Sequence, residues 1–214
     1  MRRLNLWTKL FLGLVAFSIL GTLLTTLTHL NPGPIKPVAS VLTIAAGVIA
    51  LARLVKRWRV AAVVGLGAGA EIVGLYTGFP FGRYEYTQAW WPTTPLPGGH
   101  HFPLLLPFAW FLVAGGCALA LQPLFNKGGL IWGPIAATVI DLLMEPVMTN
   151  KLGYWHWLDK GPLPGGAPWL NLVGWLLTSW LAALILWREL LRDSEPIWIV
   201  CGYLALVAGL WVCS

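Results

Sequence analysis

The stretch Gly129-Leu-Ile-Trp-Gly-Pro-Ile-Ala-Ala-Thr-Val-Ile-Asp141-Leu-Leu-Met-Glu145-Pro-Val-Met148 decides the fold. It carries no basic residue and, wound as a helix, is long enough to cross about 30 Å of hydrocarbon. Two acids nevertheless interrupt it, Asp141 and Glu145, four residues apart and therefore on one helix face. An ionised carboxylate inside an apolar span costs several kcal/mol, so acids in such places are functional candidates by default.

Comparable runs lie at roughly 6–28, 38–55, 60–77, 103–121, 168–187 and 196–212, giving seven helices in all. Composition agrees. Hydrophobic residues make up 57% of the chain and charged ones 10%, against roughly 25% charged in soluble proteins, and the mean hydropathy is +0.73. Fourteen basic and eight acidic side chains cannot cover the water-exposed surface of a 214-residue protein, so the bilayer must be the solvent. This excludes a soluble or disordered chain. We expect an all-α polytopic transmembrane bundle of about seven spans, with residues 1–214 as a single integral membrane domain. Pro32, Pro34, Pro37, Pro80, Pro123, Pro162, Pro164, Pro168 and Pro196 fall beside the gaps or at first turns, where proline costs a helix little. The first run follows Arg2 and Arg3 as a signal peptide would, but it is too long and lacks a small-x-small cleavage site, so it reads as a helix.

The net charge of +6 does not point to nucleic acid, because its densest group, Arg53, Lys56, Arg57 and Arg59, sits between two apolar runs and reads as a topology signal. If loops alternate sides, one side holds Arg2, Arg3, Lys9, Arg53, Lys56, Arg57, Arg59, Lys127, Arg188 and Arg192, and the other only Lys36, Arg83, Lys151 and Lys160. That asymmetry predicts a cytoplasmic N-terminus in a multi-pass protein of the cell (inner or plasma) membrane. The long loops 78–102 and 149–167 then face outward. The sequence also echoes itself: Pro95-Leu-Pro-Gly-Gly99 recurs at Pro162–Gly166, and Gly82-Arg-Tyr-Glu-Tyr86 resembles Gly153-Tyr-Trp-His-Trp157. The pattern fits an internal repeat of helix, outer loop and helix.

A third acid, Glu71, lies about six residues, or roughly 9 Å, below the outer end of its helix, at a depth matching Asp141 about 10 Å below its own. Pro146, directly after Glu145, is expected to end or bend its helix and free nearby carbonyls. Taken singly, Glu71 and Asp141 also read as interhelical hydrogen bonders and Glu145 as a snorkelling residue; three at similar depth predict a polar pocket. Apolar surroundings and neighbouring carboxylates disfavour the charged form, so one member is expected to keep its proton at neutral pH and serve as an acid. Around this depth stand Tyr76, Tyr84, Tyr86, Trp155, Trp157, Trp169 and Trp175, with His156 and Asn171. Many of the fourteen tryptophans suit a membrane-interface belt, but aromatic faces also stack on a conjugated chain and stabilise a carbocation. Trp155 and Trp157 are the leading candidates for that role.

Other chemistries lack their residues. Cys117, Cys201 and Cys213 lie in apolar segments with no C-x-x-C, which argues against disulfides and cysteine metal sites. His29, His100, His101 and His156 cannot supply the clusters of a membrane di-iron oxygenase, so no metal site is expected. His156, alternating with two tryptophans, reads as a proton relay or as the wet edge of an interfacial loop. Gly65, Gly67 and Gly69 follow small-residue spacing for close helix contact, not a phosphate loop. Asp141-x-x-x-Glu145 is similar to one diphosphate-binding motif of membrane prenyltransferases, but the second acidic motif is missing and seven helices are few for that fold.

Glu71-x-x-Gly74-x-x-Thr77-Gly78-x-x-Phe81-Gly82-x-Tyr84-x-Tyr86, Pro107-x-x-Trp110, Asp141-x-x-x-Glu145-Pro146, Trp155-x-Trp157 and Gly166-x-Pro168-x-x-Asn171-x-x-Gly174-Trp175, taken in this order, resemble the membrane-integral carotenoid 1′,2′-hydratase and bisanhydrobacterioruberin hydratase family. The resemblance covers residues 71–175, and flanking helices match in character only. Where the family has a compact Leu-Gly-Pro-like turn, this chain reads Gln88-Ala-Trp-Trp-Pro-Thr-Thr-Pro-Leu-Pro-Gly-Gly99, so substrate-end specificity does not carry over.

The resemblance implies hydration of the terminal double bond of an acyclic (ψ) carotenoid end to a tertiary 1′-hydroxyl, with no metal, nucleotide or redox cofactor. Protonation at C2′ gives a tertiary cation at C1′, to which water adds. The expected catalytic residues are Glu71, Asp141 and Glu145, with Asp141 or Glu145 as proton donor and Glu71 as partner in positioning or deprotonating water. Tyr84, Tyr86 and Asn171 would bind water or orient carboxyls, while Trp155, Trp157 and Trp175 line the substrate. The implied partners are a lipid-soluble carotenoid, water, membrane lipids and other carotenoid-pathway enzymes, with no nucleic acid. Two rival readings remain open at this point: a carotenoid end-group cyclase, which begins with the same protonation, and a non-catalytic carotenoid-binding or scaffold protein.

Overall fold

A computed structural model of the chain describes residues 4–123, 127–187, 189 and 194–213, without the side chain of Cys213. Arg2, Arg3, Arg188 and Arg192 of the charge tally therefore lie outside the described residues. Within those residues run α1 (Leu6–Thr28), α2 (Ile35–Ala52), α3 (Arg57–Thr77), α4 (Leu106–Leu121), α5 (Gly128–Lys151), α6 (Trp169–Leu186) and α7 (Glu195–Cys213). Six are long and apolar enough to cross a membrane, and α4 is a shorter apolar helix. The all-α polytopic bundle expected from the sequence is the observed architecture.

Local chemistry fixes the helix ends. Asn5 caps α1, its Oδ1 accepting from Trp7 N at 2.7 Å and Thr8 N at 3.2 Å, which satisfies N–H groups that a helix start leaves without partners. Glu195, the first residue of α7, accepts from the backbone N of Asn5 at 2.8 Å and from its side-chain Nδ2 as well, tying the first and last helices together. At the same end Arg59 meets Glu189 across 3.2 Å. At the other end α3 stops at Gly78, whose φ of 76° lets its N–H turn back onto Gly74 O at 2.7 Å.

In lipid the drive for helix association is close packing rather than escape from water, and small residues permit it. A Cβ on Gly67 of α3 would lie 2.6 Å from Trp110 Cβ of α4, and one on Gly133 of α5 would lie 2.8 Å from Ala118 Cα. Of the three glycines singled out by spacing, only Gly67 makes such a contact: Gly65 and Gly69 have nothing within 4 Å of a Cβ position. They face away from the helix that Gly67 meets.

Two features depart from expectation. First, of the two effects expected of Pro146, α5 does not end there but continues as a wide π turn over Val147–Lys151, with Thr149 Oγ1 donating to Glu145 O at 2.7 Å. A second π turn, Phe111–Gly115, sits within α4 directly after Trp110. Such turns are frequent beside functional sites. Second, the loops are not irregular. They contain β1 (Tyr84–Tyr86), β2 (Thr93–Pro95), β3 (His101–Pro103) and β4 (Trp155–Trp157), and the β3 strand delays the start of α4 beyond position 103.

The pairing of β1 with β4 gives the sequence echo a structural counterpart. The strands run antiparallel with Tyr84 opposite Trp157, Glu85 opposite His156 and Tyr86 opposite Trp155. The two similar segments are thus related by a local two-fold through Glu85 and His156. Each begins at a left-handed glycine, Gly82 (φ 99°) and Gly153 (φ 61°), and both Leu-Pro-Gly-Gly turns repeat the pattern, with Gly98 and Gly99 at 83° and 84° and Gly165 and Gly166 at 70° and 82°.

Candidate active site

The ribbon's alternation aims its aromatic side chains inward. Tyr84, Tyr86, Trp155 and Trp157 are buried while Glu85 and His156 are exposed. Period-two alternation on a strand produces this split. The inward rings meet edge to face, Tyr84 with Trp157 at 5.5 Å between centroids and Tyr86 with Trp155 at 6.0 Å. His156 Nε2 lies 3.5 Å from Glu85 on the outer face, so it is the wet edge of the ribbon and not a relay to the acids.

Beneath the ribbon sit all three acids, buried. Glu71 accepts from Tyr84 O–H at 2.6 Å and Tyr86 O–H at 2.8 Å on one oxygen, and from Trp110 Nε1 at 2.8 Å on the other. Burial and the nearby Glu71 carboxylate push both phenols well above the usual tyrosine range, so each remains an O–H donor. Gly74 makes the Tyr84 contact possible, since a Cβ there would lie 2.6 Å from its hydroxyl. Across the local two-fold, Glu145 accepts from Trp157 Nε1 at 3.0 Å. Asn171 Nδ2 on α6 bridges the pair on α5, donating to Asp141 Oδ2 at 2.8 Å and, more weakly, to Glu145 Oε1 at 3.4 Å. Each half of the echo therefore brings strand aromatics to a carboxyl on its own first helix.

The two clusters differ in one respect. Both Glu71 oxygens are engaged, as are both Glu145 oxygens, whereas Asp141 Oδ1 has no hydrogen-bond partner among the described residues. Asp141 is 0% exposed. A buried carboxyl oxygen without a donor is costly unless it carries a proton or faces a ligand.

Asp141, Glu145 and Glu71 all line a cavity of about 750 Å³. Its walls include Tyr84, Tyr86, Trp155, Trp157, Asn171 and Trp175, so every residue expected at the site reaches it. Tyr76 (48% exposed) and Trp169 (63% exposed) do not. Sequence reasoning did not place several other lining groups. Trp110 stacks on Trp175 with centroids 4.0 Å apart, and Trp90 stacks on Tyr154 at 5.1 Å. Tyr203 enters from α7, its O–H directed at Met144 Sδ at 3.3 Å. Trp110 stood in the motif set with no role attached; Tyr203 carried no local signal. Along α1 the cavity is lined from Phe17 to Thr26, about 14 Å at 1.5 Å per residue. It is an elongated, largely apolar slot with carboxyls in its wall, suited to a long hydrocarbon whose reacting bond meets an acid. Among the described residues no three His, Cys, Asp or Glu groups stand where they would hold a metal ion.

Comparison with known proteins points the same way. A family model described as carotenoid biosynthesis protein matches residues 35–212, which takes in α2 to α7 and extends past the motif-bearing residues 71–175. The bisanhydrobacterioruberin hydratase of Haloarcula japonica is 31% identical over 123 residues, a match spanning 55% of this chain and 40% of that protein. No solved structure matches.

Proposed function

The chain belongs to the carotenoid biosynthesis protein family, and on that premise we propose that it hydrates the terminal 1′,2′ double bond of an acyclic carotenoid end, giving a tertiary 1′-hydroxyl. The observation that carries this reading is Asp141: a fully buried carboxyl, one oxygen held by Asn171 and the other without a partner among the described residues, in the wall of a long apolar slot.

The hydrogen bonds support the following course. Asp141 delivers its proton to C2′, forming a C–H bond and leaving a tertiary cation at C1′. Aromatic walls, among them Trp155, Trp157 and the Trp110–Trp175 stack, stabilise that charge through their ring quadrupoles. Water adds its oxygen to C1′ and releases a proton to Glu145, which passes it back to Asp141 and resets the pair. Asn171 holds the two carboxyls in register and stabilises the Asp141 carboxylate as it forms. Glu71, with both oxygens engaged, is a fixed acceptor that orients Tyr84, Tyr86 and Trp110. By the charge asymmetry of the sequence, the ribbon end of this multi-pass protein faces away from the cytoplasm.

Expression in lycopene-accumulating bacteria tests the proposal, with pigments followed by chromatography and mass spectrometry. A product heavier by one water, lost in Asp141→Asn although that variant still inserts, is the expected result. A product of unchanged mass bearing a ring would favour a cyclase, and pigment bound but recovered unaltered would favour a carrier; either would overturn the hydratase reading.

A further inference from the structure

We propose that one wall of the slot, built by α1 and α2, supplies the water that quenches the cation; this rests on the hydratase reading above. The inward stripe of α1 changes character along its length. Phe11 and Val15 are packed in the core, and the same stripe then continues as Ser18, Thr22 and Thr25, which line the cavity. The spacing keeps all five on one helix face. Ser40 and Thr43 of α2 line the cavity beside them.

The three threonines of this wall have spent their donors on backbone carbonyls. Thr22 Oγ1 donates to Ser18 O at 2.9 Å, Thr25 Oγ1 to Thr22 O at 3.0 Å and Thr43 Oγ1 to Ala39 O at 2.7 Å. Each oxygen keeps lone pairs that can accept from a ligand. An acyclic terminal end group is pure hydrocarbon and has no donor to offer them; the second substrate, water, has two. Asp141 lines the same cavity, and its buried Oδ1 has no hydrogen-bond partner among the described residues. A hydroxyl row over Ser18–Thr25, about 10 Å long, suits a short file of water on one side of the slot. The aromatic side, with Trp90 and Trp155, suits the polyene.

The step at stake is the fate of the C1′ cation. With water present, a C–O bond forms and a proton leaves the added water. Without it, the cation loses a proton from carbon and returns to an alkene, so a reaction run in D₂O leaves deuterium in unhydrated pigment. The test is the triple variant Ser18→Ala, Thr22→Val, Thr25→Val, assayed in membranes in D₂O. We expect the ratio of alcohol to deuterated alkene to fall roughly fivefold or more, with the sum of both products little changed. Restoring hydroxyls as Thr22→Ser and Thr25→Ser should restore the ratio. An unchanged ratio would overturn the proposal, and so would a parallel fall of both products, which would place the wall in folding or substrate binding. If the unaltered protein makes no alcohol, it is the hydratase reading that fails; if it makes alcohol and the ratio does not move, this inference alone fails.

Discussion

Asn171 offers the sharpest test of how the acids work together. Its side chain is buried, and Nδ2 is shared between Asp141 Oδ2 at 2.8 Å and Glu145 Oε1 at 3.4 Å. Asn171→Leu keeps the branched shape and heavy-atom count and removes the donor. A hydrogen bond to a charged group contributes about 1.5–3 kcal/mol. On the proposed mechanism Asp141 is neutral before it gives up its proton, so the lost bond costs less in the resting site. When Asp141 has given its proton away the full cost applies, so the deficit falls mainly on the transition state. The hydration rate should therefore drop roughly ten- to hundredfold while the melting temperature of the detergent-extracted protein falls little. Timed conversion of lycopene in isolated membranes, together with a thermal melt, provides both readouts. A variant that hydrates at the normal rate would refute the argument; so would one whose activity falls only in proportion to a large loss of stability, since Asn171 would then be a structural bridge.

Packing and surface positions give contrasting expectations. Gly67→Val places a Cβ 2.6 Å from Trp110 Cβ, and should cost about 1–3 kcal/mol by overpacking while moving Trp110 off its 2.8 Å bond to Glu71 and its 4.0 Å stack on Trp175. Gly65→Ala and Gly69→Ala meet nothing within 4 Å and should be neutral or mildly stabilising in the same melt. Arg83 and Asp159 pair at 2.6 Å on the surface, where the guanidinium holds the Asp159 carboxyl below its usual range. Asp159→Asn should nonetheless leave the melting temperature and the hydration rate unchanged, because exposed pairs contribute little.

The helices were legible because length and hydropathy alone specify them in lipid, and the acids because a carboxyl in such a run is conspicuous: Asp141 and Glu145 share a helix face and meet in the same cavity as Glu71. The β1–β4 ribbon was half visible. Tyr84-x-Tyr86 and Trp155-x-Trp157 displayed their period of two, but three-residue strands carry no signal of what they pair with, and that pairing is what brings the halves together. Whether Pro146 ends or bends α5 is not legible in the sequence, because a proline's effect depends on whether neighbouring groups can take over the freed bonds, as the π turn does here. Tyr203 and the hydroxyl face of α1 escaped notice for a different reason: a tyrosine or threonine in an apolar helix looks the same whether it faces lipid, a neighbour or a cavity.

The ribbon also bears on how the protein meets membranes of differing thickness. Helices in a bilayer tilt and slide to match the hydrocarbon around them, at a cost of fractions of a kcal/mol per ångström. Such adjustments would separate Glu71 on α3 from Asp141 and Glu145 on α5 if the helices alone set the geometry. Here Tyr84 and Tyr86 donate to Glu71, and Trp157 to Glu145, from two strands bonded to each other. The ribbon is thus placed as a clasp, joining side chains that hold Glu71 and Glu145 through the register of its two strands.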